Sequence, residues 1–146
     1  MDETAARELY RRWLPGMWEA PTEELDRIAG ELFTDDAVGH WPGRDVHGPA
    51  GIAEQIRTTH AMFTRIGTSV RVGPVVGADG LIAAQWLFTA DYAEGVPGAT
   101  AAPGTRVRYP GADFLRVRDG RFAEYWVVGD TMALMAQLGA LGSEAG

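Results

Sequence analysis

The chain has no cysteine and no lysine among its 146 residues. The first absence removes disulfides, thiolate metal sites and cysteine nucleophiles. The second is a compositional habit that points to no function, because all 13 basic residues are arginine. Positive charge is in short supply as well, with 20 acidic residues bringing the net charge to −7. A phosphate backbone calls for a basic face, so no nucleic-acid partner is expected. No apolar run approaches the roughly 18 residues of a membrane span. The opening "MDETAARELYRRWL" carries acids and arginines where a secretory signal needs a basic start and an apolar stretch. A cytoplasmic protein without a membrane partner is the expectation. Neither a phosphate-binding glycine loop nor a dinucleotide fingerprint occurs, and no His, Asp and Glu set has metal-ligand spacing. No cofactor and no metal are expected.

What is present is the material of one globular domain, spanning 1–146, with 46% hydrophobic and 23% charged residues. Ala6, Tyr10, Trp13, Leu14 and Met17 recur at helical spacing and give an amphipathic helix with an aromatic stripe. "PTEELDRIAGELF" reads as a second helix capped by Thr22, and "GPAGIAEQIRTTHAMFTRI" as a third. Between them "AVGHWPG" is a short extended piece. The second half changes to a period of two. "TSVRVGPVVGADG", "LIAAQWLFTADYAEG", "RVRYPGADFLRVRDG" and "RFAEYWVVGD" read as four strands, the last two joined through Asp119-Gly120 as a tight hairpin. Pro110-Gly111 suggests a bulge, and "VPGATAAPGT" a mobile loop over the sheet rim. A last helix covers Thr131 to Leu138, after which "GSEAG" is expected to fray. Helices first and antiparallel strands after make an α+β fold, with a strongly curved sheet covered by the helices. The space between them is either filled or kept as a pocket.

Strand parity sorts the candidates for that space. In the last strand Phe122, Glu124, Trp126, Val128 and Asp130 share one face, so Asp130 continues an aromatic and aliphatic row. In the strand before it Val107, Tyr109, Asp113, Leu115 and Val117 share a face opposite Arg106, Arg108 and Arg116. The parity of the "LIAAQWLFTADYAEG" strand leaves open whether Trp86 and Phe88 or Gln85, Thr89 and Asp91 point inward. A carboxylate in an apolar pocket has its pKa raised towards neutrality, where it can give and take protons. Each candidate also has a structural reading. Asp130 is well placed as a helix N-cap, Asp91 as a strand-end residue, His60 as a core histidine, and His47 as a solvated turn residue.

The segments "ELFTDDAVGHWPG", "VHGPAGIAEQI" and "VRDGRFAEYWVVGDTMALMAQLGAL" carry a resemblance. The DG turn, the Trp-bearing strand, the aspartate four residues after the Trp and the helix ending in Gln-Leu-Gly resemble the SnoaL-like polyketide cyclases. These belong to the nuclear-transport-factor-like superfamily. From about Glu8 to Leu141, the resemblance implies a cone-shaped α+β barrel, with three N-terminal helices over the open face of an antiparallel sheet and a short C-terminal helix. It gives Asp130 the role of general acid/base in an aldol ring closure. His40 lies in the segment that supplies a far-wall pocket residue, and Asp91 stands near the place of a polar partner. "FTADYAEG" departs from the Thr-His-Gly-like segment of many relatives. In related epoxide hydrolases an aspartate on that strand works with an arginine, and here Thr89 holds the arginine's place.

The implied function is a cofactor-independent cyclase acting on a hydrophobic polyketide-derived intermediate. Asp130 moves the proton, His40 and Asp91 assist, and Trp41, His60, Phe63, Trp86, Tyr109, Asp113 and Trp126 supply the pocket. Shape-directed pericyclic closure is a variant of that reading. Epoxide opening by paired carboxylates and a non-catalytic binder of the same fold are the alternatives. The fold family also implies a homodimer paired through the outer face of the sheet.

Overall fold

The computed structural model describes residues 1–141. Asp2 opens helix α1 (Glu3–Arg11), its carboxylate accepting from the amide of Ala5 at 2.7 Å, which meets one of the free donors of the first turn. The regular helix stops there. Arg12–Met17 continue as a wider turn containing Leu14-Pro15, in which Leu14 has extended dihedrals. This break still points Tyr10, Trp13, Leu14 and Met17 inward, and all four are buried. The second helix is shorter than its sequence suggests. Thr22–Glu24 form a single tight turn, and α2 spans Leu25–Leu32. The Thr22 side chain caps neither piece, which corrects the expectation for that residue. Helix α3 runs over Gly48–Met62, with Ile52, Ala53 and Ile56 buried on its inner face.

The strands are β1 (Phe33–Trp41), β2 (Arg44–His47), β3 (Phe63–Val76), β4 (Leu81–Tyr92), β5 (Arg106–Arg118) and β6 (Arg121–Gly129). They form one sheet in the order β2-β1-β6-β5-β4-β3. The neighbours pair antiparallel except β1 and β6, which run parallel. The sheet is thus mixed and open, with β2 and β3 as edges, rather than wholly antiparallel and closed. The extra strand pair extends beyond the short piece read as extended, taking in Phe33, read as helix, at one end and Arg44–His47 at the other. Phe33, Thr34 and Ala37 are buried there, and Gly43 turns β1 back into β2 with a positive φ of 84°.

Asp119 and Gly120 have φ of 54° and 78°, the doubly positive turn that suits the twist of a β-hairpin. The expected bulge at Pro110-Gly111 is absent: β4 and β5 pair residue for residue from Leu81↔Arg116 to Asp91↔Arg106. The irregularity lies instead between β5 and β6, where Arg116 faces Glu124 and Val117 faces Phe122. Ala123 is the extra residue. A bulge inverts the parity beyond it, so Phe122 and Tyr125 are both buried, while Trp126 and Val128 turn to the outer face. The row expected to run from Phe122 through Trp126 to Asp130 is therefore broken at Ala123.

Gly111 lies beneath the Trp86 ring, and a Cβ added there would overlap the indole. Gly111→Ala is expected to lose about 1–3 kcal/mol of stability in urea denaturation, because ring or strand has to move. The segment between β4 and β5 is hydrogen-bonded to its surroundings. Thr100 and Ala101 donate backbone N–H bonds to the carbonyl of Leu138, and Gly104 donates to that of Tyr92. The two bonds to Leu138 join the segment to the end of the last helix, α4 (Thr131–Gln137). The segment "GSEAG", expected to fray, lies outside the described residues. Among the described residues no helix is long and apolar enough to cross a membrane.

Candidate active site

The helices leave a cavity over the inner face of the sheet, with a volume of about 180 Å³. Every layer contributes to it. Leu14 and Trp18 come from the turn after α1, Gln55 and Thr59 from α3, and Trp41 from the end of β1. The floor is Trp86, Phe88, Tyr109, Asp113 and Tyr125, and Thr131 and Leu134 close the side nearest α4. Alternation along β4 buries Ile82, Ala84, Trp86, Phe88, Ala90 and Tyr92, which settles the inward face of that strand. The wall is held shut at one edge by Glu19, whose Oε2 accepts from the amide of Thr68 at 2.8 Å and from its hydroxyl at 2.9 Å.

Asp113 is the polar centre of this space, fully buried at 0% exposure. The unbroken β4–β5 register keeps it on the inner face with Tyr109 and Leu115. Tyr10 donates its hydroxyl to Oδ1 at 2.8 Å, and Trp13 donates its indole N–H to Oδ2 at 3.1 Å. The indole of Trp86 approaches the same carboxyl and helps to hold its pKa down, but its N–H falls short of hydrogen-bond geometry. Burial outweighs these donors. Desolvation pushes the Asp113 carboxyl up from the ordinary 3.8 to about 6, because the charged form loses its water. The same burial pushes the Tyr109 phenol up to about 12, and burial beside Asp113 raises those of Tyr10 and Tyr125 as well. These phenols stay protonated and donate. Among these buried groups Asp113 is the one poised to exchange a proton near neutrality.

The other candidates divide cleanly. Trp41, Trp86, Tyr109 and Asp113 line the cavity. Phe63 is buried behind it, packed against Phe88 and Tyr92 at ring distances of 6.0 and 5.8 Å. His60 lies on the far side of α3, its Nε2 within 2.9 Å of the Trp18 carbonyl. Trp126 is on the outer face, stacked on His40 at 5.6 Å. His40 shares that face, held between Asp45 at 2.9 Å and Glu124 at 2.7 Å, and these carboxylates raise its pKa. Asp91 is also outside, paired with Arg106 at 3.0 Å and Arg65 at 3.2 Å. Asp130 is exposed and accepts from the amide of Ala133 at 3.0 Å as the cap of α4. The trio Asp130, His40 and Asp91 does not assemble in the cavity. The bulge at Ala123 displaced the first, and strand parity turned the other two outward. Asp130→Ala is expected to lose about 1 kcal/mol in thermal or urea denaturation, and Asp130→Asn only a few tenths, because asparagine still caps.

Sequence reasoning passed over Tyr10 and Trp13 as site residues. Their helical stripe marks them as core, and nothing local links them to a carboxylate 103 and 100 residues away. Among the described residues no group of three His, Asp or Glu side chains is arranged to hold a metal ion.

No curated protein matches the chain in sequence. Solved structures do match in fold. A candidate SnoaL-like polyketide cyclase from a Jannaschia species superposes with a TM-score of 0.81 at 20% identity, over 96% of this chain and 95% of that one. IdmH, a candidate polyketide cyclase from Streptomyces antibioticus, gives 0.71 at 24% identity, over 92% and 98%. A protein of ketosteroid-isomerase-like fold from Catenulispora acidiphila, in complex with trimethylamine, gives 0.71 at 19% identity, over 90% and 92%. The conical α+β architecture is therefore theirs. The sequence pattern of the SnoaL-like domain matches residues 6–125, and the chain belongs to that family.

Proposed function

We propose that the chain is a polyketide-cyclase-type enzyme in which Asp113, rather than Asp130, moves the proton. One observation carries the reading: a fully buried carboxyl, poised near pH 6, on the floor of an apolar cavity. The matches to candidate polyketide cyclases support the reaction type. The ionised Asp113 removes a proton next to a substrate carbonyl. The resulting enolate carbon attacks a second carbonyl carbon of the same chain, forming the ring bond. The new alkoxide then recovers the proton from the Asp113 acid, so the step is redox-neutral and balances without a co-reactant. Tyr10 and Trp13 fix the carboxylate in place, and the aromatic walls fold the substrate so that its reacting carbons meet.

Epoxide opening calls for paired carboxylates, whereas Asp113 is the lone one among the described lining residues. The cyclase reading is the better supported. A homodimer belongs to the same proposal. Val75, Phe114 and Val128 stand exposed on the outer face at 60, 41 and 61%, and the ladder Val75↔Ala83↔Phe114↔Trp126 runs across it. A monomer mass in light scattering would contradict the pairing.

The proton-transfer role is tested without the natural substrate. β-Tetralone carries an acidic proton beside its carbonyl, and its exchange in deuterated water is followed by NMR. The wild type is expected to accelerate exchange, and Asp113→Asn to lose about 100-fold or more of that acceleration. Asp130→Asn is expected to stay within about threefold of wild type. Retention in the first variant together with loss in the second would overturn the assignment. Saturable binding with no exchange by the wild type would favour a non-catalytic binder.

A further inference from the structure

Buried polar side-chain atoms in folded proteins nearly always find a partner, so each exception calls for an explanation. Among the described residues two such atoms have none, the indole Nε1 of Trp86 and the carbonyl Oε1 of Gln55. They come from different layers of the fold, one from β4 and the other from α3, yet both residues line the same cavity. Neither atom is reached by solvent, so water does not relieve them. Their chemistries differ. An indole N–H can only donate, and a carboxamide oxygen can only accept.

We infer that Trp86 and Gln55 are the polar recognition pair of this cavity, and that its ligand is a flat, largely apolar molecule. The ligand carries a carbonyl oxygen for the Trp86 N–H and a hydroxyl for the Gln55 carboxamide. The inference rests on the reading of this cavity as the functional site, and it adds which groups the guest presents and where. Apolar walls of Trp41, Phe88, Tyr109 and Leu134 accept flat hydrocarbon faces, and the two unpaired atoms, hidden from the cavity as the side chains stand, meet the guest's oxygens once the side chains turn. The discrimination is steep because an unmatched guest leaves both atoms buried and unpaired. The position of Trp86 beside Asp113 gives the pair a direction. A carbonyl oxygen held by the indole N–H brings the carbon next to it towards the carboxyl, and the N–H then faces the oxygen on which enolate charge collects. Small side-chain rotations, common when a ligand closes on a preformed site, complete both contacts. The Gln55 amide turns readily on its terminal bond.

Three bicyclic probes of one shape test this by calorimetry: tetralin, β-tetralone and a ring-hydroxylated β-tetralone. The wild type is expected to bind β-tetralone about tenfold more tightly than tetralin, and the hydroxylated ketone more tightly again by a few-fold. Trp86→Phe keeps a ring but removes the N–H, and is expected to abolish the preference for the ketone. Gln55→Leu is expected to abolish only the gain from the hydroxyl. In nitrogen-labelled wild-type protein the Trp86 indole N–H resonance is expected to move downfield with β-tetralone and not with tetralin. This readout and the wild-type preference hold even if a variant fails to fold. Equal affinity for tetralin and β-tetralone, binding of neither, or an unmoved indole resonance would overturn the inference. So would a Trp86→Phe protein that keeps its preference for the ketone while the Asp113 titration moves, since Trp86 then serves only the carboxyl. Binding does not require proton transfer. Loss of exchange with selectivity intact refutes the cyclase reading alone, and loss of selectivity with exchange intact refutes this inference alone.

Discussion

Trp13→Ala is expected to destabilise the protein by about 3–5 kcal/mol in urea denaturation, the usual range for emptying a large aromatic site in a core. Trp13 is fully buried. Its ring meets Trp18, Phe33 and Tyr125 edge-on at 5.7, 5.4 and 4.9 Å, so its removal strips three aromatic contacts at once. The helix α1 segment would also lose one of its two hydrogen bonds to the sheet carboxyl. Trp13→Phe separates the two effects. It keeps most of the packing and removes the N–H donor, so the stability loss is expected to be smaller. The Asp113 pKa is expected to rise further in this variant, because a hydrogen bond that favours the charged form is gone. A Trp13→Ala protein as stable as the wild type would show that this cluster does not join the helices to the sheet.

Asp113→Asn is expected to gain stability relative to wild type as pH rises. In the wild type the folded-state pKa is raised from 3.8 to about 6. The folded protein therefore binds the proton more tightly than the unfolded chain. That contribution is fully present below about pH 4. It is lost as pH rises through 6, and the total is about 3 kcal/mol. Asparagine is isosteric with the protonated acid. Its oxygen can accept from Trp13 and its NH2 can donate to the Tyr10 hydroxyl, so the folded geometry is kept. Relative to wild type, the variant is expected to gain about 3 kcal/mol between pH 4 and pH 7. Comparing denaturation curves of the two proteins at each pH cancels the other carboxylates, among them Asp36, whose pKa is lowered by its bonds to Arg118 and Thr34. A difference that does not change with pH would mean that Asp113 titrates like an exposed acid. A stable variant that loses proton exchange would show a residue kept for chemistry at a cost in stability.

The α+β class, the order of elements and the placement of Asp113 are legible in the sequence, because parity along β5 is unbroken and its arginine row marks the solvated side. Asp130 shows where this logic stops. One extra residue at Ala123 inverts β6, and no local signal such as a glycine or proline marks that position. Pro110-Gly111, which does look like a bulge, pairs regularly with Leu87 and Trp86, and the glycine serves instead to admit the Trp86 ring. Strand β4 has aromatic residues in one parity set and Leu87 in the other, so its inner face depends on what packs above it. Tyr10 and Trp13 illustrate a different limit. Their spacing places them in the core, but their partner is fixed by tertiary packing across most of the chain. The family resemblance gave the fold and directed attention to Asp130, while the bonds that tie Asp113 to Tyr10 and Trp13 emerged only when the helices were set over the sheet.

The account turns on a single buried carboxyl held near neutrality in an apolar cavity. Its most direct test is an NMR titration that follows the side-chain carboxyl carbon of Asp113, assigned by its disappearance in Asp113→Asn. A midpoint near pH 6 is the expected result. A midpoint at the ordinary 3.8 or below would contradict the account, since a carboxyl that acidic is neither desolvated nor poised to move a proton.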